Sequence, residues 1–313
     1  DAHTMTIDTP RGLVAAMPAN DSAEPDLSGG LAHAFATAAD RFGDAIALRL
    51  QGTEISYRGL LDAARGVAAR VRVLQPAERG PVVVQLGLSP DAVAVVLGVV
   101  LTGRPLVTLD TALPADRIDA ILASLITHGR APGLAIADAE HLDRLRDCGT
   151  RVGLAVTQTA DVLVDDPSAP DTTRSPEADT IPRRSEAAFE VTNIQFTSGT
   201  TGMPKAVPMN SAIEIFSAHD VIMAFPLSPE DRTLNMTPWF HRGGLYCAGP
   251  NPTFYLGSSL VPMRTFDPAT TLDWVERYRL TFLIGAPTNL AMLAAEQQRQ
   301  PRDLSSLNGI VTM

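Results

Sequence analysis

The sequence predicts an α/β protein with mainly parallel sheets, arranged as two packed α/β regions. Three observations carry that expectation. Short Val- and Ile-rich runs alternate with amphipathic stretches along most of the 313 residues. The run 81–86 is apolar at nearly every position, as in a strand covered on both faces by helices. Finally, 45% hydrophobic and 19% charged residues are ordinary for a folded chain, which excludes collagen, coiled coil and wholesale disorder.

Residues 1–27 are polar, Pro-punctuated and aperiodic, and read as a disordered lead-in. A helix follows over 31–42, with Leu31, Phe35, Ala38 and Phe42 on one face. The runs 45–50 and 54–57, joined across Gln51, Gly52 and Thr53, read as a hairpin. A helix over 58–73 turns Leu61, Ala64 and Ala68 inward, and the strand 81–86 comes next. Ser89 as cap, Pro90 at the first helical position and Gly103 as terminator bound another helix, apolar nearly all round and therefore buried. The alternation continues with a strand at 106–109, a helix at 114–125, a strand at 133–137, a helix at 139–146 and a strand at 151–156. This is the pattern of a parallel sheet with helices on its faces.

Between 165 and 189 the composition shifts to Pro, Asp, Ser and Thr, a long surface loop. A first α/β subdomain at 28–164 is thus expected, and a second at 190–313. The second reads as strands at 191–197, 233–237, 280–285 and 307–313, with helices at 210–225, 268–279 (capped by Asp267) and 288–298. Ile310 and Val311 look like core strand residues two positions before the last residue, so the expectation is an incomplete second subdomain.

The formal charge of −10 argues against a nucleic-acid partner held by broad electrostatics. Cys148 and Cys247 neither staple a chain of this size nor make a metal-ligand spacing, and fit a reducing compartment. The longest apolar run, 92–101, is about half a membrane span, so no span and a cytoplasmic location are expected.

Arginine occurs 24 times and lysine once. The single lysine, Lys205, closes the run Thr197-Ser198-Gly199-Thr200-Thr201-Gly202-Met203-Pro204-Lys205 after a strand. Converging backbone N–H groups, hydroxyl donors, glycines that admit close approach and one cation are the equipment for binding phosphate. It is not a Walker loop, because Lys205 has neither Gly before it nor Ser or Thr after it. The bland alternative is a polar turn between strands.

That run resembles the TSGTTGxPK signature of the adenylate-forming enzymes, which include acyl-CoA synthetases, beetle luciferases and nonribosomal peptide synthetase adenylation domains. Ala206 stands where the family usually has Gly. The run 55–60 is similar to the family's early TYxEL element, and 97–117 to its AxLKAGxxxVPLDPxxPxxRL stretch. Phe266-Asp267-Pro268 through Thr281 to Ala286-Pro287-Thr288 is similar to its later FDP…VT…GVPT region. The likeness runs in order from about residue 31 to 313.

The resemblance implies the large N-terminal domain of such an enzyme, with no C-terminal lid domain in this stretch. It implies ATP-dependent activation of a carboxylic acid as an acyl-adenylate, then transfer to a thiol, most simply that of CoA. Thr197, Ser198, Gly199, Thr200, Thr201, Gly202 and Lys205 would hold ATP, with Mg²⁺ carried on its phosphates; Thr201 and Lys205 would act on the reacting phosphates. Pro238-Trp239-Phe240-His241-Arg242-Gly243-Gly244 is similar to the segment that ends at the acid's carboxylate in acyl- and aryl-CoA synthetases. There His241 would orient the carboxylate, with Trp239, Phe240 and Gly243 around the tail. No Asp stands nearby for a substrate ammonium, which favours aliphatic, alicyclic or aryl acids over amino acids. An acyl carrier protein bearing phosphopantetheine is the alternative acceptor, and a non-catalytic nucleotide-binding remnant the alternative function. The family's adenine, ribose and second-lysine elements have no counterpart here, so this stretch alone is expected to be inactive.

Elsewhere, the acidic pairs Asp165-Asp166 and Glu230-Asp231 read as solvated. His33, His128, His141 and His219 read as surface or capping residues, Trp274 with Tyr278 as packing, and Met292 with Leu293 as core.

Overall fold

Two six-stranded sheets organise the chain in a computed structural model that describes residues 30–50, 52–75, 80–163, 189–197, 204–246 and 249–312. The lead-in and most of the Pro-rich stretch lie outside the described residues.

Helix α1 (Gly30–Phe42) leads into the hairpin β1 (Ile46–Leu50) and β2 (Thr53–Ser56), then α2 (Tyr57–Leu74). Next come β3 (Val82–Gln85), α3 (Pro90–Leu101), β4 (Leu106–Thr108), α4 (Ala115–Thr127), β5 (Leu134–Ala137), α5 (Leu142–Val152), β6 (Val156–Gln158) and α6 (Thr159–Val162). Beyond residue 189 lie β7 (Val191–Thr197), β8 (Lys205–Asn210), α7 (Ser211–Ala224), β9 (Arg232–Asn235), α8 (Arg242–Tyr246) and α9 (Pro250–Leu256). The order closes with β10 (Ser259–Pro262), α10 (Pro268–Tyr278), β11 (Phe282–Gly285), α11 (Pro287–Arg299) and β12 (Gly309–Thr312).

One sheet has the order β6-β5-β3-β4-β7-β8, parallel except for the β7–β8 pair. The other has the order β12-β11-β9-β10-β1-β2, parallel except for the β1–β2 hairpin. Each sheet draws strands from both sides of the Pro-rich stretch: β1 and β2 join the later strands, and β7 and β8 join the earlier ones. The two α/β layers are therefore threaded through each other.

The parallel strands are buried on both faces because alternate residues enter different cores. Val82 and Val84 of β3 join the larger core with Leu106 and Ile136, whereas Val83 joins a second core with Val107 and Ala135. The larger core also takes Leu48 of β1 and Leu260 of β10, so it bonds the two sheets through α2 and α3. Val93, Val95 and Val99 of α3 are fully buried, each contributing roughly 1.5–3 kcal/mol. Gly98 permits the α2–α3 approach, since a Cβ there would lie 2.5 Å from Val67. Ser89, Asn210 and Asp267 cap their helices, accepting from Ala92, Ile213 and Thr270 N–H groups at 3.1, 2.9 and 2.8 Å.

Several elements differ from expectation. The helix expected at 139–146 lies at Leu142–Val152; left-handed Gly153 stops it, which displaces the next strand to Val156–Gln158. Lys205–Asn210, for which pattern reading gave no element, is a strand; Pro208 hides it but is tolerated because β8 is the sheet edge. Between 238 and 267 lie α8, α9 and β10, too short and too rich in Gly and Pro to show periodicity. Asp231 is buried, accepting from Ser228 N at 2.6 Å and Thr281 Oγ1 at 2.6 Å, so it locks a turn instead of facing solvent. His141 stands at the N-cap position of α5, as the capping reading has it, but its ring is buried against Asp138. Met292 is exposed on α11 while Leu293 is core. Trp274 and Tyr278 pack edge to face at 5.8 Å. Among the described residues no helix is long and apolar enough to cross a membrane.

Candidate active site

β7 is a seven-residue strand whose carboxyl end emerges beside that of β4, the position where parallel sheets present ligand sites. The chain returns along β8, and Thr197 faces Lys205 as an antiparallel pair. The hydroxyl- and glycine-rich run joins these two strands in sequence. Ser198, Gly199, Thr200, Thr201, Gly202 and Met203 lie outside the described residues; Thr197 and Lys205 mark where that run begins and ends. Both are exposed. Lys205 makes no hydrogen bond or ion pair among the described residues.

The second segment leaves β9 and folds back into α8. Asn235, the last residue of β9, is buried and accepts the Trp239 indole N–H on its Oδ1. Its Nδ2 donates to Gly244 O at 3.2 Å, so one amide holds both ends of the turn. Gly244 is packed so closely that a Cβ would sit 2.0 Å from Pro238 O. The turn is also fastened to the other sheet, because Trp239 O accepts from Thr108 Oγ1 at 3.1 Å and Gln195 Nε2 at 3.5 Å. Gln195 lies two residues before Thr197, so the end of β7 and the Trp239–His241 turn are bonded to each other.

Trp239 is buried, Phe240 half-buried and His241 exposed, with the Phe240 and His241 rings 4.2 Å apart. Gly243 lies in the first turn of α8. Trp239 and Phe240 line a recess of about 50 Å³ with Val84, Leu88, Leu109 and Arg264. This is roughly a third of the cavity that holds benzene in other proteins, so it fits one end of an apolar group. His241 is not among the lining residues and stands beyond Phe240.

Arg264 closes the recess. Its Nη2 donates to Asp138 Oδ2 at 3.0 Å and Glu140 Oε2 at 2.7 Å, tying the end of β10 to the end of β5. Burial alone would raise the Asp138 carboxyl. The Gly87 N–H, His141 and the Arg264 guanidinium together hold it below the usual carboxylate range. The guanidinium lies against Gly87, where a Cβ would come within 2.5 Å of it.

The structure thus joins Thr197 and Lys205 to Trp239, Phe240 and His241 at the carboxyl ends of β7 and β9. Sequence reading did not find Thr108, Gln195 or Asn235, which hold that arrangement. Their signal was present as polar residues at the buried ends of apolar strands, but their partners are 131, 44 and 4 residues away.

The fold is one of two interleaved, mainly parallel sheets, with the hydroxyl- and glycine-rich run joining β7 to β8. Residues 35–313 match the family model described as AMP-binding enzyme, and the chain belongs to that family. It is 37% identical over 126 residues to a 3-[(3aS,4S,7aS)-7a-methyl-1,5-dioxo-octahydro-1H-inden-4-yl]propanoyl:CoA ligase of Mycobacterium tuberculosis, an alignment covering 40% of this chain and 25% of that protein. It is 37% identical over 119 residues to the indoleacetate–CoA ligase of Aromatoleum aromaticum, covering 38% and 23% of the two chains. The alignments thus span about a quarter of these curated relatives' length. Among solved structures, ATP-bound MatB from Rhodopseudomonas palustris superposes with a TM-score of 0.74 at 23% identity, over 90% of this chain and 54% of that one. A nonribosomal peptide synthetase, FmoA3, bound to α-methyl-L-serine-AMP gives a TM-score of 0.75 at 22% identity, over 93% and 30%. Both show the shared fold.

Proposed function

We propose that this chain forms part of an enzyme that activates a carboxylic acid with ATP and passes the acyl group to the thiol of CoA. A carboxylate oxygen attacks the α-phosphorus, pyrophosphate leaves, and the acyl-adenylate then loses AMP to the attacking thiolate sulfur. The observation that carries this reading is the bonding of the lysine-bearing hairpin to the Trp239–His241 turn through Gln195.

Lys205, Thr197 and the tip residues Ser198, Gly199, Thr200, Thr201 and Gly202 hold the phosphates in this reading. The exposed ammonium of Lys205, without a partner among the described residues, fits that role, and Mg²⁺ would enter on the phosphates. Positioning and charge stabilisation supply most of the rate in such chemistry. His241 orients the carboxylate at the exposed end of the turn; Phe240 and the recess beneath it take the apolar body, with Trp239 as the wall and Gly243 at the edge. No side-chain carboxylate stands between 236 and 246 to pair with a substrate ammonium. Acids without an α-amine are therefore the expected substrates. Two CoA ligases among the relatives support CoA as acceptor. The reading places the enzyme in the cytoplasm, where ATP and CoA are supplied.

The test is ATP–pyrophosphate exchange by the protein as its gene encodes it, with aliphatic, alicyclic and aryl acids and amino acids, followed by thioester assay with CoA or a phosphopantetheine-bearing carrier protein. Exchange with an apolar acid and thioester on CoA is the expected result. A best substrate with an α-amine, or thioester only on the carrier, overturns the substrate or acceptor assignment. ATP binding without exchange for any acid identifies a remnant.

A further inference from the structure

Among the described residues, Arg264 is the one charged side chain that lines the recess beside Phe240. It stands two residues past β10, and its Nη2 is engaged by Asp138 Oδ2 and Glu140 Oε2 at 3.0 and 2.7 Å. Its Nε and Nη1 groups have no acceptor among the described residues. Those atoms lie against Gly87, itself a lining residue, where an added Cβ would meet Nη1 at 2.5 Å and Nε at 2.9 Å. Most of the remaining wall is apolar, including Val84, Leu88, Leu109 and Trp239. Thr108 also lines it, but its hydroxyl proton is committed to Trp239 O at 3.1 Å. The recess is thus a mainly apolar slot whose Arg264 wall carries two N–H donors without partners.

We propose that Arg264 is a specificity-determining residue, donating from Nε and Nη1 to a neutral oxygen at the end of the acid remote from its carboxylate. This rests on the acid-activating reading above, in which the recess takes the apolar body. His241 stands beyond Phe240 and outside the recess, so an acid whose carboxylate meets His241 enters the recess with its far end. An all-hydrocarbon end would strip water from both N–H groups and leave them unpaired, which is costly. A ketone, ester or hydroxyl oxygen replaces that water with a hydrogen bond. An apolar slot with a few fixed polar groups is the ordinary way a pocket selects one small molecule over its isosteres.

The surroundings of the guanidinium decide between a neutral and an anionic end. Asp138 and Glu140 set two carboxylates against one guanidinium. His141, bonded to Asp138 through Nδ1, can at most bring the cluster to neutrality. No surplus positive charge is left for a second carboxylate on the substrate, whose desolvation would then go uncompensated. The donors are also held in place before any ligand arrives. Asp138 Oδ2 accepts Gly87 N–H at 2.9 Å as well as Arg264 Nη2, so one carboxylate fixes both the guanidinium and the backbone it lies against. Donors fixed in this way lose little freedom on binding.

The test is ATP–pyrophosphate exchange by the gene-encoded protein with cyclohexylacetic and cyclohexylpropanoic acids, each compared with its ring-oxo and ring-carboxy derivatives. In the unmodified protein, kcat/KM for the oxo acid should exceed that for its hydrocarbon parent about tenfold, the worth of one good hydrogen bond, with the carboxy acid poorest. Arg264→Met should bring the oxo-to-hydrocarbon ratio to about one, with the KM for ATP within about twofold. Arg264→Lys keeps a cation between Asp138 and Glu140 but lacks Nε and Nη1, and should lower the ratio likewise; it decides the matter if Arg264→Met folds poorly. The ratio is taken within one variant, so a loss of stability alone does not move it. No oxo preference in the unmodified protein, or a preference that persists in Arg264→Lys, leaves Arg264 a strut between the sheets and overturns the proposal. A preference that persists while the KM for CoA rises overturns it too, giving the recess to the thiol substrate. Absence of exchange with every acid in the unmodified protein overturns instead the acid-activating reading.

Discussion

Thr197 and Lys205 are cross-strand neighbours on adjacent antiparallel strands, so the chain's single lysine stands opposite the last residue of β7. Antiparallel pairing holds their Cα atoms about 5 Å apart. The side chain of Lys205 is exposed and packs no core.

Lys205→Ala should therefore separate chemistry from folding. Exchange should fall about 100- to 1,000-fold, the usual cost of removing one transition-state charge contact, with stability within about 0.5 kcal/mol of the parent. Parallel measurement of exchange rate and urea midpoint checks this; an unchanged rate removes Lys205 from the mechanism.

Asn235 is the hinge pin of the histidine turn. Asn235→Ala leaves the Trp239 indole N–H and Gly244 O without their partner, at a cost of about 2–4 kcal/mol for two buried unsatisfied groups. Trp239 and Trp274 are the chain's two tryptophans. In a Trp274→Phe background, Asn235→Ala should red-shift the remaining emission as Trp239 gains water. Emission at the parent wavelength would show that the turn does not depend on this amide.

A methyl group at Gly244 has no room, since its neighbours are the backbone oxygens of Pro238 and Thr237 at 2.0 and 2.6 Å. Gly244→Ala should cost about 1–3 kcal/mol through forced backbone movement and raise the KM for the acid by displacing His241. Gly66 of α2 is the contrasting case: nothing lies within 4 Å of its added Cβ. Gly66→Ala should stabilise by about 0.5–1 kcal/mol through helix propensity. Thermal melts of the pair should move in opposite directions.

Glu214, buried on α7, makes stability depend on pH. Its folded value of about 7 lies above the usual 4.5, so between those values the native state holds a proton that the unfolded chain has released. Stability from this group is present in full below 4.5, falls as pH rises and stays lower above 7, by about 3 kcal/mol in all. Glu214→Gln does not titrate, so its stability relative to the parent should be more favourable at pH 8 than at pH 5. Urea titrations at both values check this; a parent-to-variant difference that is the same at both excludes the shift.

How much was legible in the sequence depends on whether the signal was local. Residues 89–103 announced a capped, buried helix because cap, proline and apolar run are contiguous. Val191–Thr197 was read at its observed bounds because a β-branched run before a glycine-rich tip has no competing reading. The hydroxyl-rich run with one lysine and the Trp239–His241 segment were legible as chemistry for the same reason: their residue types lie side by side in the chain.

Long-range pairing was decided by the tertiary structure alone. No local pattern says that β1 pairs with β10, or that β7 lies beside β4, because parallel neighbours are chosen by which apolar faces bury together and not by adjacency in sequence. The sequence by itself determined the element types, the candidate phosphate hairpin and the histidine turn. The fold decided that Gln195 and Thr108 bind the carbonyl of Trp239, and that Glu214 of α7 accepts from Thr192 of β7. A buried polar group must find a partner wherever the packed chain supplies one, and for these residues the partners lie on strands and helices that only folding brings together.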